Sequence, residues 1–191
     1  MPEIAYKPRV ILVTDGDSLA LKAVEIACAN IGARCISASS GNPTPLTGEE
    51  IIDLILTTPG DPVVVMVDDK GKKGVGKGEK AMATIIGSDK VRVIGIVVVS
   101  SNGKDCRGIE VSFSINKNGE IIKNAVDKSG NDVGTTDICG DTLSILKKYK
   151  SILKVGIGDP GKMDSNDSIY KGAPITTKAL KEIIERSNHS I

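Results

Sequence analysis

The sequence predicts an α/β fold, a three-layer, doubly wound and mainly parallel sheet with an antiparallel hairpin insertion near 108–126. Three observations carry that prediction. Four apolar segments each run into a stop rich in Gly and Asp: VILVTDGD at 10–17, VVVMVDDKG at 63–71, VRVIGIVVVSSNG at 91–103 and ILKVGIGDPGK at 152–162. Near-continuous Val/Ile runs of this kind mark strands buried on both faces of a parallel sheet. Amphipathic helical stretches separate the early runs, giving the strand-helix-strand order whose right-handed crossovers build doubly wound sheets. Between 108 and 126 the pattern changes to alternation around Asn118-Gly119, the strongest short hairpin signal. The layout is Rossmann-like or flavodoxin-like, and its 191 residues fit a single α/β domain over 1–191.

The elements follow in order. After the first strand, Asp17 or Ser18 caps a helix over 18–31 in which Leu19, Ala23, Ile26, Ala27 and Ile31 recur at helical spacing before Gly32 stops it. ARCISAS at 33–39 reads as a short strand. The loop SGNPTPLTG is dense in Pro and Gly, and Thr47 with Glu50 forms a capping-box pattern opening the helix EEIIDLILTTP. Pro59 and Pro62 end it and launch the VVVMV strand. A loop rich in Gly and Lys leads to a short helix near Glu79–Ile86, then to the strand at 91–99. After the hairpin, GDTLSILKKYK reads as a helix capped by Asp141 or Thr142, followed by the last strand and an amphipathic terminal helix, TTKALKEIIERS.

Composition narrows the function classes. The 25 basic and 24 acidic residues balance, so no bulk field draws the chain to nucleic acid or to an anionic bilayer. With Phe113, three Tyr and no Trp, a base-stacking surface lacks its platforms. The amino terminus shows no apolar signal core, and no apolar stretch approaches the ~20 residues of a membrane helix. A soluble, intracellular chain is expected, reaching a membrane only peripherally through a protein partner. Cys28, Cys35, Cys106 and Cys139 include no CxxC pair and read as reduced thiols, mostly buried, with Cys106 beside Arg107 the most exposed.

Parallel strands bring their carboxyl ends to one rim, where open α/β sheets place their ligand crevice. Asp15, Gly16, Asp17, Asp68, Asp69, Ser100, Asp159 and Lys162 are therefore the candidate ligand-binding residues. Asp15, Asp17 and Asp68 suit a hard cation, Mg²⁺ or Ca²⁺, because such ions take a few carboxylates and keep several waters. The competing reading is structural: aspartates at strand ends cap helices and satisfy turns. The loop DDKGKKGVGKGEK offers glycines at 71, 74, 76 and 78 with Lys70, Lys72, Lys73 and Lys77, which suits a phosphate or a small anionic ligand such as a dicarboxylate, or else a solvated loop. Its spacing is not GxxxxGK[ST]. GIGDPGKM at 156–163 brings Asp159 and Lys162 to the same rim as a site or as a plain turn. The single histidine, His189, lies near a terminus, so no Ser-His-Asp or Cys-His arrangement is expected.

TDGD, RCISASSGNPTPLTGEEI, VVVMVDDKG, GKGEKAM, GDT, VGIGDPGKM and GAPITTKAL, in this order from about Pro8 to Ser187, together resemble the soluble stage V sporulation protein AE family. The resemblance implies a non-enzymatic accessory protein of the sporulation and germination apparatus that moves dipicolinic acid across the inner spore membrane. Its partners would be other proteins of the same operon, and its place the cytoplasmic face or surface of that membrane. It carries over no catalytic residues and no cofactor. The layout is also similar to response-regulator receiver domains, with Asp15 and Asp17 as acidic pair, Asp68 as phospho-acceptor, Ser100 or Ser101 after the fourth strand and Lys162 after the fifth. That similarity implies the alternative, a Mg²⁺-binding receiver-like or phosphoryl-transfer domain, although the insertion at 103–137 and the Gly before Lys162 depart from the receiver pattern.

Overall fold

Strands β1 (Arg9–Val13), β3 (Val63–Met66), β4 (Arg92–Val99) and β9 (Lys154–Ile157) form the parallel centre of the sheet, as their Val/Ile content requires. The chain is described here from a computed structural model that covers residues 6–72, 74–101 and 108–189; Lys73, Cys106 and Arg107 lie outside the described residues. With β2 (Arg34–Cys35), β6 (Phe113–Ile115) and β7 (Ile121–Ile122), the main sheet has seven strands in the order β2-β3-β1-β4-β9-β6-β7. Every neighbouring pair is parallel except β6 and β7. β5 (Ile109–Glu110) and β8 (Asp137–Ile138) form a separate two-stranded antiparallel sheet. The fold class is thus the predicted α/β one, with β3 seated between β2 and β1.

Alternate residues of each strand feed opposite faces. Ile11, Val13, Val64, Met66, Val97 and Val155 meet α1 (Ser18–Ile31) and α4 (Pro174–Asn188). Val10, Leu12, Val63, Val65, Ile96 and Val98 meet α2 (Gly48–Thr57) and α3 (Lys77–Gly87). The caps are those the sequence spells. Asp17 accepts from the backbone N–H groups of Leu19 and Ala20, Gly32 closes α1 at φ 72, and Thr47 with Glu50 completes a capping box. The hairpin is also present: Ser114 pairs with Ile122 and Ile115 with Ile121 around a turn in which Gly119 has φ 77.

Three expectations need correction. The strand at 33–39 is only the two residues of β2, because Ser37–Ser39 coil into a 3₁₀ turn. There Ser39 Oγ donates to Ile36 O and accepts from Met66 N, replacing ladder bonds. The helix at 140–150 is a 3₁₀ segment, Ser144–Lys148, with neither Asp141 nor Thr142 as its cap. Glu79 reaches across from α3 to accept from Ser144 Oγ and Ile145 N, so a tertiary contact sets this segment's start. Cys139 is disulfide-bonded, whereas Cys28 and Cys35 are free thiols as expected.

Candidate functional site

Because β1, β3, β4 and β9 are parallel, their carboxyl ends share one edge of the sheet, and the predicted residues lie along it. Asp15 follows β1, and its Oδ1 accepts from Gly16 N at 2.7 Å and Asp17 N at 3.2 Å. Burial pushes its carboxyl up to about 6, with Asp17 and Asp68 adding repulsion against the turn's hydrogen bonds. Asp17 is spent on the α1 cap through Oδ1, while its Oδ2 lies 3.9 Å from Lys162 Nζ. Gly16 is required by close approach: a Cβ there would strike Gly41 O and touch the Asp68 side chain.

Lys162 sits among the acids. Its Nζ lies 3.4 Å from Asp159 Oδ2, which Lys128 Nζ also approaches at 3.4 Å. Burial pulls the Lys162 ammonium down, but Asp159, Asp17 and Asp15 outweigh that and hold its pKa above the usual lysine value. Lys162 Nζ thus lies within ion-pair range of both Asp159 and Asp17. Among the described residues, no group of three or more His, Cys, Asp or Glu is disposed to hold a metal ion, so Asp15, Asp17 and Asp68 form no preassembled centre. Ser100 is buried between β4 and β9, its N–H donating to Ile157 O.

Asp68 and Asp69 follow β3. Thr44, in the Pro-rich loop, clamps the Asp68 backbone: Thr44 Oγ1 accepts from Asp68 N at 2.8 Å, and Thr44 N donates to Asp68 O at 2.9 Å. Asp68 Oδ1 accepts from Lys70 N at 2.9 Å. Asp69 turns into the start of α3 and accepts from Gly78 N at 2.7 Å and Glu79 N at 3.2 Å. Desolvation raises the pKa of both carboxyls, opposed by these backbone donors. Asp141 adds repulsion at Asp68, and the buried Thr142 Oγ1 lies near Asp69 without completing a hydrogen bond to it.

The glycines of the Gly/Lys loop are explained by this arrangement. A Cβ at Gly76 would collide with Asp69 Oδ1, and one at Gly78 would sit 2.7 Å from the Asp68 backbone. They let α3 close onto the strand end, and the N–H groups that a phosphate would use are bonded to Asp69. Lys70 and Lys72 of the same loop are exposed.

Sequence reasoning missed three residues that organise this edge. Thr44 lay hidden in a loop read only as Pro-rich. Glu79, 1% exposed, looked like an ordinary first-turn acid. Asp167, fully buried, accepts from Gly161 N, Ile175 N, Thr176 N and Thr176 Oγ1, tying the 158–163 turn to the start of α4. The only available signal was Pro174 at the first helical position, with Asp167 a few residues before it.

Fold and site together define a doubly wound α/β domain whose acidic rim carries a lysine paired with Asp159 and near Asp17, and whose α1 and α3 starts are closed by its own carboxylates. The chain belongs to the stage V sporulation protein AE family: the family model described as Stage V sporulation protein AE1 matches residues 9–187. No curated protein and no solved structure matches it significantly. Membership assigns the chain a role in sporulation. None of the described helices is long and apolar enough to cross a membrane.

Proposed function

We propose that this chain is a non-enzymatic accessory protein of the sporulation and germination apparatus that moves dipicolinic acid across the inner spore membrane. It works by binding the other proteins of its operon at the cytoplasmic face or surface of that membrane. The observation that carries this reading is the family match over residues 9–187, since the family's locus is linked to dipicolinic acid transport. The rim supports a binding role over a catalytic one. Asp17 and Asp69 are engaged as caps, and Lys162 pairs with Asp159 and lies near Asp17. A receiver-like phosphoryl transfer would need Asp17 open to a metal ion rather than spent on the α1 cap.

The test is deletion of the gene in the producing spore-former, with dipicolinic acid measured in mature spores and in the medium after germinant addition. Reduced content or slowed release, restored by the wild-type gene, is expected, together with recovery of operon partners after cross-linking in sporulating cells. Wild-type content and release, with no operon partner recovered, would sink the proposal.

A further inference from the structure

We propose that Cys28 and Cys35 form a two-thiol centre that undergoes thiol–disulfide exchange with a small disulfide at the groove between α1 and β2. Cys28 lies near the end of α1 and is 2% exposed, while Cys35 is half-buried in the two-residue edge strand β2. Both are free thiols. Both line a cavity of about 460 Å³ whose wall includes Glu25, Arg34, Ser37 and Pro59. Cys35 packs against the buried cluster that contains Cys28, so the two thiols share one wall of an open groove.

The surroundings make the two sulfurs unequal. Interaction with Cys28, and less with Ser37, holds the Cys35 thiol below its ordinary pKa against burial and the Glu25 charge. Ser37 Oγ donates to Glu25 Oε1 at 2.5 Å and can turn that hydrogen to the sulfur as charge develops there. Cys28 is pushed above its ordinary value, first by its bond to Cys35 and then by burial. Cys35, half-buried where Cys28 is 2% exposed, is the sulfur an incoming disulfide reaches first, so Cys35 is the attacking thiol and Cys28 the resolving one.

The exchange balances. The Cys35 thiolate bonds to one sulfur of the incoming disulfide, and the other sulfur leaves as a thiolate that takes up a proton. Cys28 then gives up its proton to solvent, and its sulfur bonds to Cys35 Sγ, expelling the second small thiolate. Two protein thiols are oxidised while one small disulfide is reduced to two thiols. Closing the bond draws the sulfurs to about 2.05 Å.

The inference is independent of the proposed function and is tested on the intact chain with oxidised glutathione, followed by acid quenching, alkylation and peptide mass mapping. Wild type should yield a Cys28–Cys35 disulfide and no stable glutathione adduct. The Cys28→Ser variant should accumulate a mixed disulfide on Cys35, and Cys35→Ser should react at least about tenfold more slowly at Cys28. Should wild type keep both thiols reduced in excess oxidised glutathione, or hold a stable adduct at Cys35, the centre does not exist. The wild-type measurement decides the matter even where a variant fails to fold.

Discussion

A carboxyl that keeps its proton to about pH 6 makes Asp15 a point where stability depends on pH. Its pKa is raised on folding, so between about 4 and 6 the folded chain holds a proton that the unfolded chain has released, and stability falls as pH rises through that window. Above it a constant penalty remains, on the order of 2 kcal/mol after discounting for partial exposure. Asn keeps the oxygen that accepts from Gly16 and Asp17 and sheds the charge. Asp15→Asn should therefore raise the melting temperature at pH 7.5 by about 4 to 8 °C and leave it nearly unchanged at pH 4. A variant less stable than wild type at pH 7.5 would show that Lys162 draws net stabilisation from ionised Asp15. Asp167 is a buried carboxyl with four donors on it. Asp167→Ala strands those donors and should cost about 3 kcal/mol in urea unfolding, with Asp167→Asn losing less. A loss under about 1 kcal/mol would mean that water replaces the carboxylate. The difference in legibility is physical. Asp15 ends an apolar run and announces itself, whereas Asp167 sits in a polar stretch and acquires its partners only when α4 docks.

Among the elements, the sequence reads best where local chemistry decides. α1 and α2 begin and end where their caps lie, because Asp17, Gly32, Thr47 and Glu50 bond to backbone within their own turns. It reads worst where a distant side chain decides. Ser144–Lys148 has the apolar spacing of an α-helix, yet Glu79 takes its first donors and Thr142 bends the chain at φ 63, so a 3₁₀ turn forms. α3 makes the same point from the other side, its loop suggesting a phosphate cradle until Asp69 is seen occupying the N–H groups. Gly78 tests that packing. Helix propensity alone favours Ala over Gly by about 1 kcal/mol. A Cβ at Gly78 would lie 2.7 Å from three backbone atoms of Asp68, which cannot rotate away. Gly78→Ala should therefore destabilise by about 1 to 3 kcal/mol in denaturant melts. A stabilised variant would show that α3 moves freely relative to the β3 end.

The whole molecule depends on two helical layers closing on one sheet, and α4 is the layer that residues distant in sequence must fit. Near the middle of β4 the register against β1 slips, Val10 facing Val93 and Ile11 facing Gly95. At that slip Gly95 lets Ile183 of α4 descend onto the strand, a Cβ there falling 2.5 Å from Ile183 Cγ2. The sequence shows Gly95 only as an interruption in a Val/Ile run, because the helix that fills the gap lies some ninety residues later. Gly95→Ala should lift α4 and cost about 1 to 3 kcal/mol, and Ile183→Ala alone should cost about 2 to 5 kcal/mol through the cavity left behind. The double variant removes the Ile183 atoms that the new methyl strikes and half-fills their space. Its loss should therefore fall short of the sum of the singles by at least about 0.5 kcal/mol. Strict additivity in that cycle would mean that Gly95 and Ile183 do not share the contact and that α4 is held by Asp167 and its neighbours instead.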